Sequence, residues 1–147
     1  MKRAAKSKKS KISSSSKAKA TSSRRIVLVG HCGPDMHMLA AAMRRVAPES
    51  TVAIANDAEE LKPHLSGDAV LLVNRVLDDG FETESGIDLI MEITALPDPP
   101  VLIMISNYAS AQAKAVAAGA RPGFGKAQLH DEKTAVIVRN AVARQPI

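Results

Sequence analysis

Short apolar, β-branched runs alternate along this chain with longer stretches whose apolar residues recur at helical spacing. The runs IVLVG (26–30), TVAIAN (51–56), DAVLLVN (68–74) and PPVLIMIS (99–106) predict four strands, and a short fifth is expected near Gly123 and Phe124. Helices are predicted between them. Pro34 opens DMHMLAAAMRRVA (35–47), and Asn56 or Asp57 caps DAEELKPHL (57–65), whose second half Pro63 interrupts. IDLIMEITAL (87–96) follows the turn-rich 77–86, Gly119 closes SAQAKAVAAGA (110–120), and DEKTAVIVRNAVA (131–143) starts on acids, as the helix dipole favours.

DAVLLVN is apolar almost throughout, which predicts a strand buried on both faces, as in a parallel sheet. Five consecutive βα units imply right-handed crossovers and an α/β fold: a doubly wound, five-stranded parallel sheet with five helices. Ligands of such sheets bind at the carboxyl ends of the strands, where the strand order reverses. The loop leaving the first strand, 30–34, lies at that place.

Composition refines this picture. The 147 residues suffice for one domain, and with only Phe81, Tyr108 and Phe124 as aromatics the core must be aliphatic. A single cysteine, Cys32, makes no internal disulfide, consistent with a reducing compartment. The formal charge of +5 conceals two regions. Ten of the twenty Lys and Arg residues fall within the first 25 positions, which hold no acid, whereas the rest of the chain carries ten bases and fifteen acids. Residues 1–25 therefore read as a disordered, basic Lys/Ser-rich tail, with Ile12 its only large apolar residue after Met1, and 26–147 as the folded domain. Neither a secretory leader nor a membrane span is expected, which points to the cytoplasm.

The loop VLVGHCGPD (27–35) holds the chain's one thiol beside a histidine. His31, Cys32 and His37 lie close in sequence, but His64 and His130 are isolated, so the loop lacks the second ligand cluster that zinc requires. A phosphatase-type thiolate would need an arginine six positions on, where Met38 stands. GHCGPD matches neither common phosphate-loop pattern, and Pro34 removes an amide donor. A small-ligand or metal site at His31 and Cys32 stays as an alternative beside Cys32 as a small apolar filler.

From about Arg25 to Ala143 the chain resembles the receiver domain of two-component response regulators. The resemblance rests on IVLVGH, on VLLVN with the later SGIDLI, on PPVLIMIS, and on AVAAGARPGFGK, whose spacing from Ala118 to Lys126 is the most specific. It implies a flavodoxin-like sheet of order 2-1-3-4-5. It also implies a pocket in which two acids and a phosphoacceptor aspartate hold Mg²⁺. Those acid positions fall on Gly30 and His31, and the acceptor falls on Asn74 (a one-residue shift would place Val73 there). Ser106 matches the hydroxyl and Lys126 the lysine that contact the phosphoryl group. The proline after that lysine is replaced by Ala127, and the aromatic switch position falls on Gly123. Asp78 and Asp79, in the following loop, are read as solvated turn residues or as substitutes reaching the pocket.

A pocket without carboxylates implies a degenerate pseudo-receiver: a non-catalytic phosphorelay module with no catalytic residue, metal or cofactor, acting by protein contact. The resemblance points to a histidine kinase, another regulator or a transcription complex as partner. A homodimer through helix four, strand five and helix five is a further option, and that face would carry Lys114, Arg121, Lys133, Arg139 and Arg144. Asn74 near Ser106 and Lys126 can equally be a satisfied polar cluster. Lys126, with no carboxylate expected beside it, should be partly solvated or face an anion. A different class of function is nucleic-acid association through the basic tail, by counterion release from phosphates.

Overall fold

The computed structural model describes residues 23–77 and 80–144. Five strands, β1 (Arg25–Val29), β2 (Val52–Ala55), β3 (Ala69–Asn74), β4 (Val101–Ile105) and β5 (Arg121–Phe124), form one sheet in the order β2-β1-β3-β4-β5. Every neighbouring pair is parallel. The expected doubly wound order 2-1-3-4-5 is the observed one. Parallel neighbours cannot be joined by a hairpin, so each connection crosses over through a helix. The helices are α1 (Gly33–Val46), α2 (Ala58–Leu61), α3 (Gly86–Thr94), α4 (Ala109–Ala117) and α5 (Glu132–Val142).

Burial explains why these segments take these forms. β3 is central, paired with β1 on one side and β4 on the other, and its first five residues are all buried. Successive strand residues point to opposite faces, so the two sides of the sheet feed two cores. Ile26, Leu28, Val70, Leu72, Ile103 and Ile105 pack with residues of α1 and α5 in one. Val27, Val29, Leu71, Val73, Leu102 and Met104 pack with residues of α2, α3 and α4 in the other.

Local chemistry sets the helix ends. Asp57 caps α2 by accepting from the Glu60 amide, and Ser85 caps α3 by accepting from the Asp88 amide. The predicted helix 57–65 divides: α2 stops at Leu61 and a 3₁₀ turn spans Lys62–His64. Pro63 lacks the amide that would continue the α-helical ladder. No helix among the described residues is long and apolar enough to cross a membrane.

The tail boundary differs from the one expected. Arg25 belongs to β1, and its guanidinium donates to the Pro63 carbonyl and to His64 Nδ1. Arg24 donates through Nε to the Gly67 carbonyl (2.9 Å) and through Nη1 to the carbonyls of Ala141 (3.0 Å) and Ala143 (2.9 Å). A basic run reads uniformly in sequence, but here its last two guanidiniums satisfy the end of α5 and the turns before β3. The rest of the predicted tail, 1–22, lies outside the described residues, as do Asp78 and Asp79.

Replacing Arg24 strips three carbonyls of a charged donor. We expect Arg24→Ala to lower unfolding free energy by about 1–3 kcal/mol, read from urea denaturation. A change confined to a few tenths would return Arg24 to the tail.

Candidate functional site

The carboxyl ends of β3 and β4 border a cavity of about 300 Å³ lined by Asn74, Arg75, Val76, Ile105, Ser106, Asn107, Tyr108 and Lys126. Three residues singled out from sequence, Asn74, Ser106 and Lys126, thus meet at one place. Register puts them there: Asn74 ends β3 opposite Ile105, and Ser106 follows β4 directly. Lys126 arrives from the turn after β5.

Gly30 closes β1 with φ +74°, a left-handed conformation that glycine adopts without strain. A Cβ there would also lie 2.6 Å from the Leu77 side chain. Gly86, at the start of α3, sits so close to the Asn74 carbonyl that a Cβ would overlap it. The glycine of SGIDLI is therefore a packing requirement of the backbone at Asn74.

Asn74 spends both amide hydrogens on backbone. Its Nδ2 donates to the Gly30 carbonyl at 3.1 Å and to the Val76 carbonyl at 2.7 Å. It ties the end of β1 to the loop after β3. The expected cluster of Asn74 with the hydroxyl and lysine is corrected accordingly: these bonds go to carbonyls. Ser106 is almost buried, and its Oγ accepts from the Tyr108 amide at 3.1 Å.

Lys126 has the carboxylate that sequence reasoning did not give it. Its Nζ donates to Asp35 Oδ2 at 2.5 Å, across ninety-one positions of chain. The pair is partly solvated, with side-chain exposures of 27% and 30%. The ammonium bonded to it holds the Asp35 carboxyl below its ordinary range, and the Cys32 thiol adds to this by hydrogen bonding. Pro34 starts α1 and places Asp35 in its first turn, where a carboxylate also suits the helix dipole. The available signal was Asp35 itself, an acid in the first turn of the helix that follows β1.

His31 and Cys32 do not form a site together. His31 is buried, with its Nε2 2.9 Å from the Leu72 carbonyl, whereas Cys32 is exposed. Adjacent residues leaving a strand face different surroundings, so the pair divides between core and solvent. His64 and His130 have arginine partners, Arg25 and Arg45, and His37 is exposed. Burial first, and the Arg25 charge second, push the His64 pKa down.

Two further features were not read from sequence. Arg75 lies over the Tyr108 ring, 5.0 Å from its centre, beside the cavity. Gln112 of α4 holds its Nε2 within hydrogen-bonding distance of the carbonyls of Met104 (2.9 Å), Ser106 (3.1 Å) and Phe124 (3.3 Å), which share its two hydrogens, and its Oε1 accepts from the Gly123 amide. At the position expected for an aromatic switch there is thus a glycine clasped by a glutamine. The Lys126–Ala127 bond is trans, like the other described peptide bonds.

No family model matches the chain, and no curated protein matches it in sequence. Solved structures do match. A response regulator described as putative, from Chloroflexus aurantiacus, aligns at TM-score 0.59 and 19% identity over 82% of this chain and 99% of its own. The signal receiver domain of a DNA-binding response regulator from Colwellia psychrerythraea gives 0.59 and 16% over 80% and 96%. The beryllofluoride-activated NtrC4 receiver domain dimer gives 0.62 and 18% over 80% and 95%. The fold is a receiver fold.

The Mg²⁺ implied for a receiver pocket does not fit these donors. That ion takes hard oxygen ligands in an octahedron. Gly30 offers no side chain, His31 is turned to the core, Asn74 points its amide nitrogen at carbonyls, and Asp35 is committed to Lys126. No group of three or more His, Cys, Asp or Glu among the described residues is placed to hold a metal.

Because the Asp35 pKa is depressed in the folded protein, the pair contributes stability above the ordinary carboxyl value of 3.8 and loses it as pH falls through the depressed one. We expect Asp35→Asn to cost about 0.5–1 kcal/mol near neutral pH, given the partial exposure of both partners. Urea denaturation of wild type and variant at several pH values should show the gap closing in acid; a gap independent of pH would contradict the pairing.

Proposed function

We propose that this chain is a pseudo-receiver: a phosphorelay-type signalling module, non-catalytic, that acts by protein contact without aspartyl phosphorylation. One observation carries the reading. Asn74, on which the receiver resemblance puts the phosphoacceptor, is an amide whose two hydrogens are bonded to backbone, and Lys126 on the same cavity wall has its charge balanced by Asp35. An amide is no nucleophile toward a phosphoryl donor, and among the described residues the pocket has no carboxylate free to bring in a divalent ion. What survives is the receiver shell with Ser106 and Lys126 in place.

On this reading the output is a surface. The α4–β5–α5 face carries exposed Lys114, Arg121 and Lys133, while Arg139 pairs with Glu132 and Arg144 with Asp68. A cationic face suits an acidic partner surface such as that of a histidine kinase, another regulator or a transcription complex, or a homodimer through the same elements. The cytoplasm is the compartment where such partners are met.

The test is incubation with Mg²⁺ and acetyl phosphate, followed by intact mass measurement. The expected result is an unchanged mass for wild type. A phosphoryl adduct mapped to an aspartate, Asp78 or Asp79 included, would overturn the proposal.

A further inference from the structure

The charges of this domain are segregated. Eleven of its fifteen acids lie between Asp57 and Asp98, with only Lys62 and Arg75 as bases in that stretch, whereas the segment from Pro99 to Arg144 holds six bases and two acids. Lys62 is already paired with Glu59 at 2.8 Å. Within the acidic half runs a groove of about 290 Å³ between α2 and α3, walled by Leu61, Leu65, Phe81, Leu89, Ile93 and Leu96. Glu82 and Glu92 also line it, both exposed and neither in an ion pair among the described residues. An apolar trough rimmed by unpaired carboxylates fits a basic segment with an aliphatic anchor.

We propose that the occupant is the chain's own N-terminal segment, with Ile12 seated in the groove and the flanking lysines against its acidic rim. Three observations select this occupant. Residues 1–22 carry eight Lys and Arg and no acid, so the two charge distributions are complementary. Ile12 is the only large apolar residue between Met1 and Ile26, which gives the segment a single register. The exit point is close: Arg25 bonds the Pro63 carbonyl and His64, and the groove wall includes Lys62 and Leu65 on either side of them. Ten residues separate Ile12 from Ser23, enough to span at most about 33–36 Å. Tethering makes the contact intramolecular and raises the segment's effective concentration at the groove. The proposal is independent of whether the pocket at Asn74 accepts phosphate.

The test uses the full chain with Cys32→Ser and Ser14→Cys, a nitroxide on the new thiol, and amide resonances as the readout. At about 0.02 M salt we expect amides of 58–65 and 81–96 to lose more than half their intensity, and to recover it at about 1 M, where charge is screened beyond roughly 3 Å. Ile12→Ser, or Glu82→Lys with Glu92→Lys, should each restore the signal at low salt, and all of these positions are surface or tail sites. Uniform loss, loss centred on α4 and α5, no loss, or insensitivity to salt and to both variants would overturn the proposal. So would loss seen only when spin-labelled chain is mixed with isotope-labelled chain free of spin label, an outcome that assigns the groove to a second copy.

Discussion

Burial of β3 on both faces is the constraint from which the rest of this structure follows. A strand that pairs on both edges and is covered on both sides is fully buried except at its end, the half-buried Asn74. Helices must therefore cover both faces, which dictates crossover connections and the doubly wound order. The same arrangement draws the loops after β1, β3 and β4 into one crevice and brings the turn after β5 to its edge. The site is a by-product of how the core is covered.

Within the crevice, polar groups are balanced against each other. A buried or half-buried amide, hydroxyl or ammonium is costly without a partner. Asn74 meets this cost with two carbonyls, Ser106 with an amide proton, and Lys126 with Asp35. Without a carboxylate nearby, Lys126 would carry an uncompensated charge, and Asp35 on the first turn of α1 removes that penalty.

The strands were legible because each is a continuous apolar run, and a parallel sheet buries such runs on both faces. Asn74, Ser106 and Lys126 were legible because register carries a strand's last residue to the crevice once the order is known. Asp35 was not, since its meeting with Lys126 depends on how α1 leans over the sheet, a tertiary fact with no local periodicity. Gln112 was hidden likewise: on a helical pattern it is an ordinary polar position, and only the approach of β4 and β5 supplies its four backbone partners. Arg24 and Arg25 were merged into the tail because composition cannot separate a solvated guanidinium from one that closes a helix end.

The Gln112 clasp bears on what such a module can report. One side chain bridges the ends of β4 and β5, and the backbone hydrogen of Gly123 anchors it in turn, so the corner is cross-braced where a switch would need two alternative packings. On the pseudo-receiver reading, a protein braced in this way conveys no on-or-off state of its own. On that same reading, what is left for a partner to sense is how much of the chain is present, not which of two shapes it holds.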